Sequence, residues 1–172
     1  MLQLILGGAR SGKSRLAEQT AKETGLSVIY IATAQALDTE MQQRIAHHQQ
    51  QRPADWQVFE ESIYLADRLL QCDQANQLIL VDCLTLWLSN LLLADDSALQ
   101  QQQIQQLLNV LPQLKSKIIL VSNETGLGVV PMGELSRRFV DEAGRLHQNL
   151  GQLANKVVFC VAGFPMILKD EK

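Results

Sequence analysis

The amino-acid sequence predicts an α/β domain built on a mainly parallel β-sheet with helices on both faces. Short, continuous apolar runs of strand type alternate with helical segments along the chain, a pattern typical of such sheets. The first apolar run leads directly into a glycine-rich motif at residues 7–14. The chain has 172 residues with neither an internal repeat nor a linker, so we expect residues 1–172 to form one domain.

Six strands are predicted from apolar runs that turn-forming residues bracket. The run at 28–32 is rich in branched residues, and the run at 78–81 is followed by a carboxylate, Asp82. Trp56 and Trp87 are expected in the core. The last run is expected to complete the set of strands. In chain order, the predicted strands cover residues 2–6, 28–32, 56–60, 78–81, 117–121 and 157–162.

The predicted helices follow from apolar residues that recur every three to four positions. Gly25 is placed to end the first helix, and Pro53 follows the second. A glutamine-rich stretch surrounds Ile104, but the apolar period continues beyond it, which favours a solvated helix face over a low-complexity tract. The predicted helices cover residues 13–24, 38–51, 63–70, 98–114 and 133–154.

Composition limits the possible functions. A net charge of -3 argues against a strongly electrostatic nucleic-acid binder. Cys72, Cys83 and Cys160 show no CxxC spacing and are expected to be free thiols of a reducing compartment. The N-terminus lacks the features of a signal peptide, and the apolar stretch at 84–94 is too short to span a membrane. We therefore expect a cytoplasmic protein with no nucleic-acid partner.

The motif G-x-x-x-x-G-K-S at residues 7–14 lies between a predicted strand and a predicted helix, the context in which it forms a phosphate-binding P-loop. Glycines let the backbone wrap a phosphate, and the helix N-terminus adds the positive end of its dipole. Lys13 supplies a charge for the outer phosphates, and the Ser14 hydroxyl suits Mg²⁺. A glycine turn before an ordinary helix is the alternative, but motif and context together favour a nucleoside triphosphate site.

Asp82 is a candidate metal ligand because it follows a predicted buried strand. In P-loop proteins a carboxylate at the carboxyl end of a neighbouring strand holds Mg²⁺, directly or through water. Ligands of open α/β sheets also collect at that edge. The alternative is a carboxylate that caps the next turn. Given the P-loop, we favour the metal role.

His48 lies in the predicted helix 38–51, on the same face as Met41, Ile45 and Arg52, whereas His47 falls on a polar face. An inward histidine beside an arginine has two interpretations. One is a hydrogen-bonded interior side chain. The other is a nucleophile toward phosphorus, since neutral imidazole is available near pH 7 and needs no separate base. In that case Arg52 would neutralise the phosphate under attack.

Three further features each leave two interpretations. Glu60 and Glu61 end a predicted strand and either accept hydrogen bonds from a nucleobase or ribose or are merely solvated. Thr33, at the end of another strand, has the same ambiguity. The loop at 123–131 either closes over a substrate or is a plain connection.

The last predicted helix carries polar side chains whose partners are open. Arg138 and Arg145 are seven residues apart and share a face, where they either meet phosphate or pair within the helix with Asp141 or Glu142. His147 has no partner that the sequence identifies.

Several segments, taken in order, span nearly the whole chain. They are GGARSGKS at 7–14, YIATA at 30–34, D-x-x-M-x-x-R-I-x-x-H at 38–48, R-P-x-x-W at 52–56, VDCLTLWLSNLL at 81–92, VSNETGLGVVP at 121–131 and R-x-F-x-D-x-x-G-x-L-x-Q at 137–148. Together they resemble the bifunctional adenosylcobinamide kinase / adenosylcobinamide-phosphate guanylyltransferases of cobalamin synthesis. The P-loop occurs in many families, but the histidine segment and the loop at 121–131 are far more specific.

The resemblance implies that ATP or GTP phosphorylates the aminopropanol hydroxyl of adenosylcobinamide. GMP then moves from GTP to adenosylcobinamide phosphate through a covalent GMP–histidine, releasing pyrophosphate. The family's histidine falls on His48, so the expected catalytic residues are His48 and Lys13, with Mg²⁺ at Ser14 and Asp82. A RecA-like sheet and a homotrimer are also implied. The implied nucleotide contacts are Gly7, Gly8, Ala9, Arg10, Ser11, Gly12, Lys13, Ser14, Ala32, Thr33, Ala34, Gln49, Gln50, Gln51, Arg52, Glu60 and Asp82.

Thr125 departs from the family pattern, in which a small apolar residue is expected at this position of the loop. Two other functions are considered. One is a plain P-loop small-molecule kinase in which His48 is structural. The other is a regulatory nucleotide switch, which lacks support because the chain has no N-K-x-D base-specificity motif.

Overall fold

The computed structural model describes residues 1–35, 53 and 55–171. Within these residues, seven strands form one sheet in the order β3-β2-β4-β5-β1-β6-β7. The six strands from β1 to β6 run parallel, and β7 is antiparallel to β6. The strands are β1 (Leu2–Gly7), β2 (Ser27–Ala32), β3 (Gln57–Glu60), β4 (Gln77–Asp82), β5 (Lys117–Asn123), β6 (Lys156–Val161) and β7 (Phe164–Asp170).

Helices connect the parallel strands. They are α1 (Lys13–Glu23), α2 (Leu65–Cys72), α3 (Leu84–Leu93), α4 (Ser97–Val110), which continues into a short 3₁₀ turn (Leu111–Gln113), and α5 (Glu134–Leu153). The helix predicted over residues 38–51 lies outside the described residues. The other predicted helices are present, with ends shifted by a few residues.

The apolar side chains form a core on each face of the sheet, as a parallel sheet covered on both faces requires. Successive residues of β1 point to opposite sides: Leu4 belongs to one core and Ile5 to the other. One core contains Trp87, and the other contains Trp56, whose ring stacks on Tyr30 with 6.4 Å between centroids. Both tryptophans are therefore core residues, as predicted.

Helix α3 has no counterpart among the predicted helices. Its sequence is apolar almost all round, so periodicity does not reveal it, and the structure buries it deeply. Asn90 is one of its few polar side chains, and it is satisfied: its Nδ2 donates to the carbonyls of Thr33 at 2.9 Å and Ser62 at 3.1 Å. Through these hydrogen bonds, helix α3 holds the segments that follow β2 and β3 in place.

The strand predicted at 157–162 is present as β6, but the expectation that it is the last strand is wrong. The chain turns at Ala162 and Gly163, both with positive φ, and returns as β7 along β6. Pro165 suits this position because an edge strand tolerates a residue without an N–H group. Most side chains of β7 are exposed, including Phe164 and Ile167.

The expectation of a solvated glutamine face on α4 is wrong for two residues. Gln100 and Gln103 are buried, because they lie where α5 and neighbouring side chains pack against α4. Gln100 Oε1 accepts a hydrogen bond from Arg138 Nη2 at 2.8 Å, and Gln103 Nε2 donates to Gln106 Oε1 at 2.9 Å. Burial of the Gln100 carbonyl oxygen is thus compensated by a hydrogen bond, whereas Gln103 Oε1 is buried without a partner among the described residues.

The three cysteines are free and buried, as expected. In the described part of the chain, no helix combines the length and the apolar character needed to cross a membrane.

Candidate active site

The loop between β1 and α1 has the geometry of a phosphate cradle. Gly12 precedes α1 with a φ of 93°, a left-handed conformation that favours glycine. At Gly7 a Cβ atom would lie 2.5 Å from Ser11 Oγ and 2.6 Å from the Cys160 carbonyl oxygen, so a side chain does not fit. These two glycines allow the loop to turn tightly against β6.

Lys13 lies over this loop at the start of α1. Its side chain is buried, and Nζ donates to the carbonyl oxygen of Gly8 at 3.2 Å. No side chain caps the helix at Gly12, so the N–H groups of the first turn remain available to an anion. Ser14 is half-buried in the same turn. The ammonium group and the free helix end together form a site for phosphate oxygens.

Asp82 does not end a strand next to β1, contrary to expectation. Strand β5 lies between β4 and β1 in the sheet. Asp82 nevertheless stands at the same carboxyl edge, where it is in register with Ala32 of β2 and Val121 of β5.

The pKa of the Cys83 thiol indicates which charged groups lie near this edge of the sheet. Burial raises the pKa of its thiol to about 11, the Asp82 carboxylate adds to the rise, and the Lys13 ammonium opposes it. Asp82 and Lys13 therefore both lie within electrostatic reach of the same thiol. Among the described residues, no hydrogen bond or ion pair occupies the Asp82 carboxylate, so it is available to a ligand.

The side chain of Thr33 has a structural role. It is fully buried, and its hydroxyl donates to the Cys83 carbonyl at 2.6 Å while accepting from the Cys83 N–H at 2.9 Å. These bonds tie the end of β2 to the end of β4. A nucleotide contact by residues 32–34 would therefore use the backbone and not this hydroxyl.

Glu60 and Glu61 have different surroundings, which the sequence could not distinguish. Glu61 Oε1 accepts hydrogen bonds from the N–H groups of Ile63 and Tyr64, at 3.0 and 2.8 Å, and so supports the start of α2. Glu60 is exposed at the end of β3. A cavity of about 330 Å³ lies beside it, lined by Ala34, Gln35, Glu60, Glu61 and Ser62. No hydrogen bond or ion pair with another described residue involves the Glu60 side chain, so it is the carboxylate that we consider for a ligand.

A second cavity, of about 230 Å³, lies at the opposite end of the sheet. It is lined by residues such as Leu2, Ile118 and Asn155, at the amino ends of β1, β5 and β6. Because ligands of open α/β sheets bind at the carboxyl ends, we place the active site at the first cavity and the P-loop.

His48 and the nucleotide contacts expected to follow it lie outside the described residues. The contacts concerned are Gln49, Gln50, Gln51 and Arg52. The described chain leaves the carboxyl end of β2 at Ala34 and Gln35, which line the cavity beside Glu60.

A buried polar network behind the P-loop was missed by sequence reasoning. His147 Nε2 lies 2.8 Å from Ser122 Oγ, which lies 3.2 Å from Thr85 Oγ1, and Thr85 Oγ1 accepts from the Asn123 N–H at 2.6 Å. His147 Nδ1 is 3.4 Å from Glu124 Oε2, without hydrogen-bond geometry. Burial lowers the pKa of His147, and the Glu124 carboxylate opposes this shift.

A signal for the buried histidine was present in the sequence. His147 lies four residues after Ala143 and three before Leu150, on the stripe of α5 that faces the core. Its partners, Ser122 on β5 and Glu124 directly after it, are 25 and 23 positions away in the chain, so no local pattern identifies them. The network holds the end of β5 in place beside the P-loop.

Two of the three arginines of α5, Arg138 and Arg145, pair with other side chains. Arg145 Nη1 lies 2.6 Å from Glu142 Oε1, which is the intrahelical pairing that we considered. Arg138 bonds to Gln100 on α4. Both guanidinium groups thus have a protein partner, which favours the pairing interpretation.

Comparison with known proteins identifies close relatives. The family model for cobinamide kinase / cobinamide phosphate guanyltransferase matches residues 3–168. The bifunctional adenosylcobalamin biosynthesis protein CobP of Pseudomonas aeruginosa is 60% identical over 171 residues, covering 99% of each chain. CobU of Escherichia coli, which carries the same description, is 40% identical over 98% of this chain and 100% of its own.

One solved structure shows the same fold. The protein of project PH0250 from Pyrococcus horikoshii superposes with a TM-score of 0.58, covering 99% of this chain and 87% of its own. Its sequence identity is 12%, so the likeness concerns the fold alone.

Proposed function

Because this chain belongs to the cobinamide kinase / cobinamide phosphate guanyltransferase family, we infer that it is a bifunctional enzyme of adenosylcobalamin biosynthesis. It phosphorylates adenosylcobinamide and then transfers GMP from GTP to adenosylcobinamide phosphate, giving adenosylcobinamide-GDP and pyrophosphate. The observation that carries this conclusion is the match over residues 3–168, together with a RecA-like sheet whose P-loop is formed and open to a ligand.

We propose that the nucleotide lies along the carboxyl edge of β1, β4 and β2. The P-loop backbone, Lys13 and the N-terminus of α1 would bind its phosphates. Glu60, exposed at the end of β3 beside the cavity, would accept hydrogen bonds from the base or ribose. ATP and GTP share the triphosphate, so this arrangement serves both as phosphate donors in the kinase step.

The donor set at this edge fits Mg²⁺. Within the described residues no three metal-binding side chains form a cluster of their own. Mg²⁺ commonly takes one or two protein oxygens and completes its shell with phosphate and water, so Ser14 and Asp82 would suffice. The chemistry that it supplies is neutralisation of charge on the β- and γ-phosphate oxygens. Asp82 is free of competing partners among the described residues, which supports this assignment.

We propose that His48 is the guanylylated residue. A neutral imidazole nitrogen attacks the α-phosphorus of GTP, a P–N bond forms, and the bond to the pyrophosphate oxygen breaks. A phosphate oxygen of adenosylcobinamide phosphate then attacks the same phosphorus and displaces the imidazole. The family membership and the spacing of the histidine segment support this role. Lys13 would stabilise the charge on the departing pyrophosphate.

A labelling experiment tests the guanylyl-histidine. The enzyme is incubated with GTP labelled at the α-phosphate, denatured, and assayed for label that acid removes and alkali does not. We expect label on the wild type and on the matched variant His47→Asn, and none on His48→Asn. If His48→Asn retains the label, the nucleophile is another residue. If wild type takes no label, the protein is a plain kinase.

We further propose a homotrimer in the cytoplasm. The apolar side chains of β7 support self-association: Phe164, Met166, Ile167 and Leu168 are all more than half exposed. The three free thiols support a reducing compartment. Sedimentation equilibrium would give the mass of three chains for wild type, and a smaller mass for Phe164→Ser combined with Ile167→Ser. A monomeric wild type would contradict the trimer.

A further inference from the structure

The loop between β5 and α5 leaves the sheet directly beside the phosphate cradle. Asn123, the last residue of β5, is paired in register with Gly7, the last residue of β1. The next residue, Glu124, donates its N–H to the Gly7 carbonyl oxygen at 3.0 Å. Residues 125–133, which we name the apolar loop, therefore begin within a few ångströms of the P-loop.

The apolar loop exposes more apolar side chain than a connecting loop needs. It contains no charged residue. Leu127, Val129, Val130 and Met132 are 79%, 95%, 69% and 96% exposed, and no described part of the chain covers them. A contiguous exposed apolar surface next to a polar binding site marks a place where a ligand or partner is bound.

Hydrogen bonds at both ends hold the loop in shape. Glu124 Oε1 accepts from the Gly126 N–H at 2.6 Å, while the other carboxylate oxygen faces the buried ring of His147. At the far end, the Arg137 guanidinium donates to the carbonyl oxygens of Pro131 and Met132. The loop is thus organised before any ligand arrives, which reduces the entropy lost on binding.

We propose that the apolar loop binds the corrin macrocycle of the substrate. The inference rests on the proposed function, in which the substrate brings first its hydroxyl and then its phosphate to the nucleotide at the P-loop. The rest of that substrate is a large ring that carries many methyl groups besides its amide side chains, and an uncharged apolar surface is complementary to the methyl-bearing part. Leu127, Val129 and Met132 cover part of the ring, and the loop's attachment to Gly7 sets the distance from ring to phosphates.

The apolar loop suits this ligand better than a second copy of the chain. It begins at the P-loop, whereas β7 offers a separate, flatter apolar edge on the other side of β6 for self-association. Burial of the loop between copies would also block access to the edge where both substrates must meet.

Kinetics of a loop variant test the proposal. Val129→Ser combined with Met132→Ser removes two highly exposed apolar side chains, so folding is not at risk. We expect KM for adenosylcobinamide in the kinase reaction to rise about tenfold or more, since each lost apolar contact weakens binding several-fold. KM for GTP, guanylylation by GTP alone and the sedimentation mass should not change. Leu70→Ser combined with Leu93→Ser, which replaces two apolar side chains on α2 and α3 that are 51% and 61% exposed, is the control and should leave all four unchanged.

Each contrary result has a distinct meaning. An unchanged KM for adenosylcobinamide in the loop variant overturns the proposal, as does a lowered sedimentation mass, which would make the loop an interface between copies. A wild type without kinase activity or guanylylation would instead refute the proposed function.

Glu124 is a positioning residue in this scheme. Glu124→Ala removes the acceptor of the Gly126 N–H and should raise KM for adenosylcobinamide with little change in kcat. Glu124→Gln keeps an acceptor oxygen and should restore KM toward the wild-type value. A loss of kcat in both variants, with KM unchanged, would contradict the positioning role.

Discussion

Two loops leave neighbouring parallel strands at one edge of the sheet, and they differ in almost every property. The P-loop after β1 is short, and it is held by its own hydrogen bonds, such as Ser11 N–H to the Gly8 carbonyl at 3.2 Å. The apolar loop after β5 is longer, uncharged, and extends its side chains into solvent. The last residues of the strands that precede them, Gly7 and Asn123, are nevertheless in register.

The difference shows how one sheet edge can serve two ligands. The position at the carboxyl edge is decided by topology, and both loops share it. In the proposed arrangement the P-loop would recognise phosphate through backbone N–H groups and one ammonium, so it needs glycine more than it needs side chains. The apolar loop can act only through its side chains. Substitutions in the P-loop and in the apolar loop should therefore have different effects on activity and on stability.

The largest effect is expected at Lys13. Lys13→Ala removes the ammonium that faces the phosphates, and both kinase and guanylyltransferase rates should fall at least about a hundredfold. Variants of the apolar loop, by contrast, should change only the KM for adenosylcobinamide. Lys22→Ala, at the other end of α1, is the control and should be fully active. Initial-rate assays of both reactions measure this. Undiminished guanylylation in Lys13→Ala would show that the P-loop does not serve the transfer reaction.

Replacing glycine by alanine should lower the free energy of unfolding in the P-loop but not in the apolar loop. Gly7→Ala places a Cβ 2.5 Å from Ser11 Oγ, so we expect a loss of about 1–3 kcal/mol in the free energy of unfolding. Gly128→Ala, in the apolar loop, meets no atom within 4 Å and should be neutral or slightly stabilising. Urea denaturation compares them. Equal stability of the two variants would mean that Ser11 and the Cys160 backbone can shift to accommodate a Cβ at position 7 at little cost in free energy.

The buried imidazole behind the apolar loop should make stability depend on pH. Because burial lowers the pKa of His147 below 6.5, the unfolded chain binds more protons than the folded chain just below that pH. The free energy of unfolding should therefore fall as pH drops through about 6.5 and on toward the lowered folded-state pKa. His147→Gln removes this titration, so its stability should decline less between about pH 7 and pH 5. Urea midpoints across this range measure the slopes, and parallel curves would contradict the assignment.

The smallest effect is expected at Arg145, which lies in neither loop. Its side chain is 66% exposed and, within the described chain, pairs with Glu142, so Arg145→Ala should change stability by less than about 1 kcal/mol. Both KM values should be unchanged. A raised KM for GTP would restore the phosphate-binding interpretation of this arginine.

Much of the fold could be predicted because its signals are local. Apolar runs predicted six strands, and glycine spacing predicted the P-loop. Helix α3 gave no periodic signal because it is buried on nearly all sides. Strand β7 was missed because it is an exposed edge strand that contains a proline. The role of His48 remains a prediction from the sequence and the family.

The sequence by itself determined the phosphate cradle, the family and the chemistry to be expected, because each depends on residues close together in the chain. Only the tertiary structure decided that β5 separates Asp82 from the P-loop strand, that Glu61 is engaged while Glu60 is free, and that His147 meets Ser122. These facts come from the packing of segments distant in the chain. Side-chain partners are chosen there by burial and hydrogen bonding across the sheet, and no local pattern encodes that choice.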